Sequence, residues 1–370
     1  MRALQVRLKD RSYPIFVGRD ILSRAADVLN KVKISQKHAI VVSQKEIAAH
    51  CQWRLTDALA KGGVEAAFFL TPAAKSSEAA KSQGTYFKLI KQLALLDGKG
   101  RSVFLIALGG GVIGDLTGFA AAVYRRGIPY IQIPTTLTAQ VDSAIGGKTG
   151  IDLPEGKNLL GAIYQPRAVL SDTALLDTLP DRHWSDGFAE VIKYGVIRDA
   201  RLFSILEKNG KEGIRKNHRL LEKVILRCAR IKARIVSEDE WDKKDIRIVL
   251  NFGHTAGHAI EAASRFSREV THGQAVAVGM LIASDIADSL GVLKDKTLTG
   301  RLEKTLLKFD LPLFYKGLST EALFRAMGYD KKKTDSGKNR FVLPVTIGKT
   351  AVVSDVPTDV LTKALEKRRN

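Results

Sequence analysis

The sequence predicts an α/β N-terminal domain with a mostly parallel sheet, followed by a mainly α-helical C-terminal domain. Three observations predict this. At 370 residues the chain exceeds the size at which one hydrophobic core stops growing, which points to two domains. Strand and helix signals alternate from the N-terminus to Pro180, the pattern of strands joined by helical crossovers. Beyond Pro180, helical periodicity takes over.

In chain order, residues 3–8 alternate in polarity and, with 14–18, read as a hairpin around Lys9-Asp10-Arg11-Ser12. Strands follow at 38–43 and 66–70, with helical stretches between them. Residues 102–108 form a continuous apolar run, the mark of a strand buried on both faces, and 130–133 and 168–170 read the same way. Helices are predicted at 184–197, 199–209, 218–238, 253–265, 273–291, 297–309 and 318–328. A hairpin of 340–347 with 351–354 and a last helix after Pro357 complete the chain. The boundary is placed where Asp172, Asp177, Pro180 and Asp181 cluster, giving domains 1–178 and 179–370.

Composition narrows the function classes. Leu4, Val6 and Leu8 alternate as in a strand, unlike a signal peptide, and no apolar run reaches the length of a membrane span. Only Cys51 and Cys228 occur, so a disulfide framework is not expected and a reducing cytoplasm is. Lys plus Arg (59) exceed Asp plus Glu (39), a net charge of +20. The basic residues are spread along the chain, densest at Lys331–Lys333 and Lys367-Arg368-Arg369. They lack interleaved aromatics, so no nucleic-acid partner is expected.

Three segments carry chemistry. Gly109-Gly110-Gly111-Val112-Ile113-Gly114-Asp115 follows a buried strand and precedes a helical stretch. Its backbone can approach a pyrophosphate at a helix N-terminus, or it can be a tight strand-to-helix turn. It lies too far into the chain for an ordinary Rossmann first turn. Next, Pro134-Thr135-Thr136 and Gln140-Val141-Asp142-Ser143 lead to Gly146-Gly147-Lys148-Thr149 and Gly156-Lys157-Asn158. That density of hydroxyls, glycines and lysines suits an anionic ligand, or a polar loop, and it is not a Walker A loop. Finally, His254 and His258 share a helical face at i and i+4, His272 follows, and Glu190 sits in an apolar helix start with Lys193 at i+3. Imidazoles and a carboxylate suit zinc, with His254 and His258 the first two ligands by spacing. The alternative is surface histidines and a surface ion pair.

Taken together, these motifs, with Ala189-Glu190-Val191-Ile192-Lys193, Asn251-Phe252-Gly253-His254-Thr255 and His272-Gly273, resemble the 3-dehydroquinate synthases. The order is the family's, densest from 105 to 290. The resemblance implies a homodimeric lyase of the shikimate pathway using NAD and one divalent metal, zinc or cobalt, per chain. It would convert a phosphorylated keto acid, 3-deoxy-D-arabino-heptulosonate 7-phosphate, to 3-dehydroquinate and phosphate. It moves the metal ligands to Glu190, His254 and His272, with His258 beside the metal. It implies a substrate site of Asp142, Lys148, Asn158, Lys193, Lys232, Arg247, Asn251, His258 and Lys332, with Arg126 reaching the neighbouring subunit's site. The NAD contacts it implies are Gly110, Gly111, Asp115, Thr135, Thr136, Lys148, Lys157, Thr178 and Leu179, with Glu78 and Lys81. Two departures from the family stand out. Val42-Ser43-Gln44-Lys45 replaces a strand end that usually carries aspartate, and His272-Gly273-Gln274 has glutamine where glutamate is common.

Overall fold

The computed structural model describes residues 1–72, 78–98, 100, 102–264, 270–328 and 340–370. The chain forms two compact units, Met1–Pro180 with Ile225–Trp241, and Asp181–Val224 with Asp242–Asn370. The return of Ile225–Trp241 to the first unit is not foreseen by a simple division along the chain.

In the first unit the elements run β1 (Arg2–Val6), β2 (Tyr13–Gly18), α1 (Ala25–Lys31), β3 (His38–Ser43), α2 (Lys45–Ala60), β4 (Glu65–Leu70), α3 (Gln83–Asp97), β5 (Val103–Gly109), α4 (Gly111–Val123), β6 (Tyr130–Pro134), β7 (Lys148–Leu153), β8 (Gly156–Ile163) and β9 (Ala168–Asp172). The main sheet has the order β1-β2-β9-β6-β5-β3-β4. Only the β1–β2 pairing is antiparallel. From β3 the chain runs out to β4, then crosses back past β3 to β5. This is the doubly wound order 2-1-3-4-5, whose ligand crevice lies beyond the carboxyl ends of the strands where the winding reverses. Here the reversal falls between β3 and β5, so Ser43 and Gly109 end the two strands that flank it. This topology puts the glycine loop on the third wound strand, which is why it occurs so late in the sequence.

Side chains alternate across β5. Phe104, Ile106 and Leu108 pack with α1 and α2 in one core layer, while Val103, Leu105 and Ala107 pack with α3 and α4 in the other. Residues 148–163, which the sequence reading allowed as a polar loop, are the hairpin β7–β8. Gly150 pairs with Gly161 in that hairpin, and a Cβ at Gly150 would lie 2.7 Å from Leu160 O. Glycines at a close backbone approach erase the side-chain alternation by which a strand is recognised.

The second unit is built from α5 (Asp181–Arg198), α6 (Ala200–Lys216), the start of α7 (His218–Glu238), α8 (His254–Ala263), α9 (His272–Ser289), α10 (Leu298–Leu307), α11 (Thr320–Ala326), the hairpin β10–β11 (Arg340–Thr346 with Lys349–Ser354) and α12 (Thr358–Lys367). Helices α8 and α9 touch backbone to backbone. A Cβ at Gly279 would collide with Gly253 O, and one at Gly257 would lie 3.1 Å from Ala275 O. A Cβ at Gly273, in the first turn of α9, would collide with the backbone of Asp186 in α5. The tail is not merely a solvated basic run. Arg368 is 2 % exposed and joins Asp285 of α9 to Glu303 of α10. Among the described residues no helix is long and apolar enough to cross a membrane.

The glycine contacts generate a prediction. Gly279→Ala is expected to lower unfolding stability by about 1–3 kcal/mol through overpacking. Gly300→Ala, with open space around it in α10, is expected to raise it by about 0.5–1 kcal/mol through helix propensity. Urea midpoints of the two variants decide the matter. Equal behaviour would refute the close-packing argument.

Candidate active site

The first unit gathers a polar cluster beyond the carboxyl ends of β5 and β6. Gly110 caps α4, and Thr135 N donates to Gly109 O at 3.0 Å, so the glycine loop and the Thr135-Thr136 segment lie together. A Cβ on Gly111 would come within 2.9 Å of Ser143 Oγ. Thr136 Oγ1 accepts from Ala139 N and opens the single π-helical turn Ala139–Ser143. Such turns recur at functional sites. Asp142 lies in this turn, paired with Lys232, whose Nζ also donates to Asp142 O at 3.0 Å. Lys232 is buried on the segment that returns to this unit.

Lys81 is 3 % exposed and donates to Asp115 Oδ2 at 2.7 Å and to Asn158 Oδ1. Glu78 stands 4.0 Å from Lys81. Burial pushes both the Glu78 and the Asp115 carboxyl upward, against the pull of Lys81. Asp152, which sequence reasoning missed, ties this group together. Its Oδ1 accepts from Asn158 N at 2.8 Å, and its N donates to Lys81 O at 2.8 Å. The cluster therefore unites Glu78, Lys81, Asp115 and Asn158, with Lys157 electrostatically coupled to Glu78. Lys148 opens β7 and is exposed. Thr178 and Leu179 follow β9 beyond the same edge of the sheet. Ser43 is fully buried and its hydroxyl donates to Leu108 O at 2.8 Å, so it is committed to the sheet. Arg126 follows α4 with φ of +62° beside Arg125 at +48°. Arg125 pairs with Asp97, while Arg126 is exposed and shows no partner among the described residues.

The second unit assembles a carboxylate–imidazole centre. Glu190 is 1 % exposed on α5, and Lys193, one turn on and also 1 % exposed, pairs with its Oε2. Its Oε1 lies 3.1 Å from His272 Nε2 and 3.4 Å from His254 Nε2. The two histidines open α9 and α8 respectively. Their donor atoms and that of Glu190 all lie within 4.8 Å of one another, a set whose chemistry suits zinc or cobalt. Burial opposes the Glu190 carboxylate, but Lys193 and the histidines outweigh it and hold its pKa well below the ordinary range. Burial, with Lys193, lowers His254. Burial also opposes the His272 imidazolium, yet Glu190 and Glu261 raise it to about 10.

His258 stands outside that set, 5.2 Å from the His254 ring centre, and groups instead with Glu261 and His272. Although His258 is exposed at the surface, the protein packed around its ring and the neighbouring His254 lower its pKa to about 4, so it is neutral near pH 7. Arg247 is buried in the turn Arg247–Asn251, and Asn251 is exposed at its end. Gln274 turns out to be a capping residue. Thr271 and Gln274 form a reciprocal capping box at the start of α9, so glutamine supplies the same acceptor as glutamate. Lys332 lies outside the described residues.

Comparison with known proteins places this arrangement. Residues 72–186 match the model of the 3-dehydroquinate synthase N-terminal region and residues 187–333 that of the C-terminal region. The chain is 41% identical over 355 residues to the 3-dehydroquinate synthase of Nitrosospira multiformis, covering 96% of this chain and 94% of that one. Two solved structures are similar. One is 2-epi-5-epi-valiolone synthase from Streptomyces hygroscopicus subsp. jinggangensis with NAD+ and Zn2+ bound. It is 29% identical, with a TM-score of 0.83 and 98% of each chain covered. The other is 2-deoxy-scyllo-inosose synthase complexed with carbaglucose-6-phosphate, NAD+ and Co2+. It is 26% identical, with a TM-score of 0.86, covering 99% of this chain and 100% of that one. The chain belongs to the 3-dehydroquinate synthase family.

Proposed function

We propose that the protein is a 3-dehydroquinate synthase, a phosphate-eliminating lyase that converts 3-deoxy-D-arabino-heptulosonate 7-phosphate to 3-dehydroquinate with catalytic NAD and one zinc or cobalt ion per chain. The observation that carries the reading is the buried Glu190 carboxylate facing two imidazole Nε2 atoms, in a chain 41% identical to a 3-dehydroquinate synthase. The rings formed by the two similar solved enzymes are a second reading, weakened by their lower identities of 29% and 26%. Glu190, His254 and His272 hold the metal in this proposal. Gly110, Gly111, Asp115, Thr135, Thr136, Lys148, Lys157, Thr178, Leu179, Glu78 and Lys81 serve the dinucleotide.

Held by these residues, NAD would supply reversible hydride transfer with the carbon bearing a ring hydroxyl, and the metal would supply polarisation of that hydroxyl's oxygen. The chain's own residues do the rest. Lys148, Lys193, Arg247 and Lys332 supply cations for a substrate bearing both phosphate and carboxylate. Asp142, fixed by Lys232, and Asn158, Asn251 and His258 orient its hydroxyls. We also propose a homodimer, cytoplasmic in location, with Arg126 completing the partner's site. The support is an exposed arginine held at φ +62°, without a partner among the described residues of its own chain. Non-glycine residues keep such a backbone only where the surroundings impose it.

His272→Ala is expected to lose metal and phosphate release together. Full metal occupancy in that variant, measured by elemental analysis, would remove the ligand assignment. Phosphate release from the keto-acid phosphate is expected to require NAD while absorbance at 340 nm stays flat in steady state. Accumulating NADH would identify a dehydrogenase instead. Arg126→Ala is expected to slow turnover at least tenfold, since losing a charge partner costs roughly 2–5 kcal/mol. Mixing Arg126→Ala with Glu190→Ala subunits is expected to restore activity, because one site per mixed dimer is then intact. A mixture shown to exchange subunits that stays inactive would rule out site sharing.

A further inference from the structure

The two histidines against Glu190 have different supports. A neutral imidazole that gives one nitrogen to a metal carries its proton on the other, and that N–H needs an acceptor to fix tautomer and ring orientation. For His254 the acceptor is local, with Nδ1 3.1 Å from Phe252 O, two residues upstream. For His272 it is a side chain on another helix, with Nδ1 3.2 Å from Glu261 Oε2. Glu261 lies seven residues after His254 on α8, and residues at i and i+7 share a helix face. The Glu261 side chain is only 14% exposed, against 38% for that of His272.

We propose that Glu261 is the positioning residue of the metal centre, holding His272 by Nδ1 so that Nε2 faces Glu190 and the ion. This rests on the reading above, in which Glu190, His254 and His272 hold the metal. Glu261 could instead be a ligand, since its carboxylate lies within 4.8 Å of donor atoms of His258 and His272. That would put an ion on His272 Nδ1. With another already on Nε2, the ring would have to give up its second proton to bridge two cations. A carboxylate accepting the Nδ1–H requires no such step and leaves Nε2 free to bind. The Glu261 carboxylate therefore acts through His272, in the way a second layer of hydrogen bonds usually supports metal-bound imidazole.

The test uses Co2+ as the probe, with affinity measured by chelator competition and geometry read from the visible absorption of the bound ion. Glu261→Gln keeps the shape and one acceptor, while Glu261→Ala removes both. Each variant is expected to bind one Co2+ per chain with about 10–100-fold weaker affinity, alanine at the larger end. Its Co2+ spectrum is expected to shift, while the thermal midpoint of the metal-free glutamine variant stays near that of the unmodified protein. Unchanged affinity and spectrum in Glu261→Gln would overturn the proposal. So would two ions per unmodified chain with one lost in Glu261→Gln, which would make Glu261 a ligand. His272→Ala serves as the control. If it retains the unmodified affinity for Co2+, the metal reading itself fails, and that result is distinguishable from an effect confined to Glu261.

Discussion

A carboxylate cannot be left alone in an apolar helix, and much of the second unit answers that constraint at Glu190. Removing an ionised carboxylate from water costs several kcal/mol unless partners replace the lost hydration. Lys193 supplies a cation within the same helix, one turn on. The remaining partners come from α8 and α9, and they reach Glu190 because glycines let these helices approach. Gly273 lets the first turn of α9 press on α5, while Gly253, Gly257 and Gly279 let α8 and α9 meet backbone to backbone. The capping box at Thr271 fixes where α9 begins, and so where His272 sits. Packing, capping and electrostatics thus converge on one carboxylate group.

In the first unit the governing constraint is topological. A doubly wound sheet opens its crevice where the winding reverses, and the residues that follow β5, β6 and β9 project from the carboxyl ends of their strands. Loops at that edge are rich in glycine, threonine and lysine, while the segment after β6 also buries Leu137, Val141 and Ile145. The Lys81 network adds to this order. A lysine only 3 % exposed, bridging Asp115 and Asn158, stiffens the edge through charge-assisted hydrogen bonds.

Much of this was legible in the chain. The buried strands β5, β6 and β9 appeared as apolar runs, and the second unit's helices as helical periodicity, because burial leaves its mark on the side-chain pattern. What was hidden has physical reasons. The β7–β8 hairpin pairs glycine with glycine, so no alternation survives to be read. Spacing on α8 favoured His254 with His258, since i and i+4 neighbours share a face. Tertiary contact instead brings His272 Nε2 to Glu190, and no local rule encodes an approach between helices. Asp152 and Glu261 gave no signal at all. An acidic residue among lysines, or late in an amphipathic helix, looks like ordinary surface until its partners are in place. Gln274 read as a departure at the site because its neighbour is His272, yet its work is to cap a helix.

The return of Ile225–Trp241 to the first unit has a consequence for how the chain is made. A polypeptide leaves the ribosome N-terminus first, and domains generally fold as they emerge. The seven-stranded sheet is complete in sequence at Asp172, but the unit still lacks the end of α7, with Ile225, Cys228, Ala229 and Val236 all buried. It also lacks Lys232, without which Asp142 has lost its cation. Until Trp241 has cleared the exit tunnel, the nascent first unit lacks both the apolar residues at the end of α7 and the Lys232 ammonium that pairs with Asp142. Over that interval of synthesis, folding of this unit is coupled to translation of the first helices of the next.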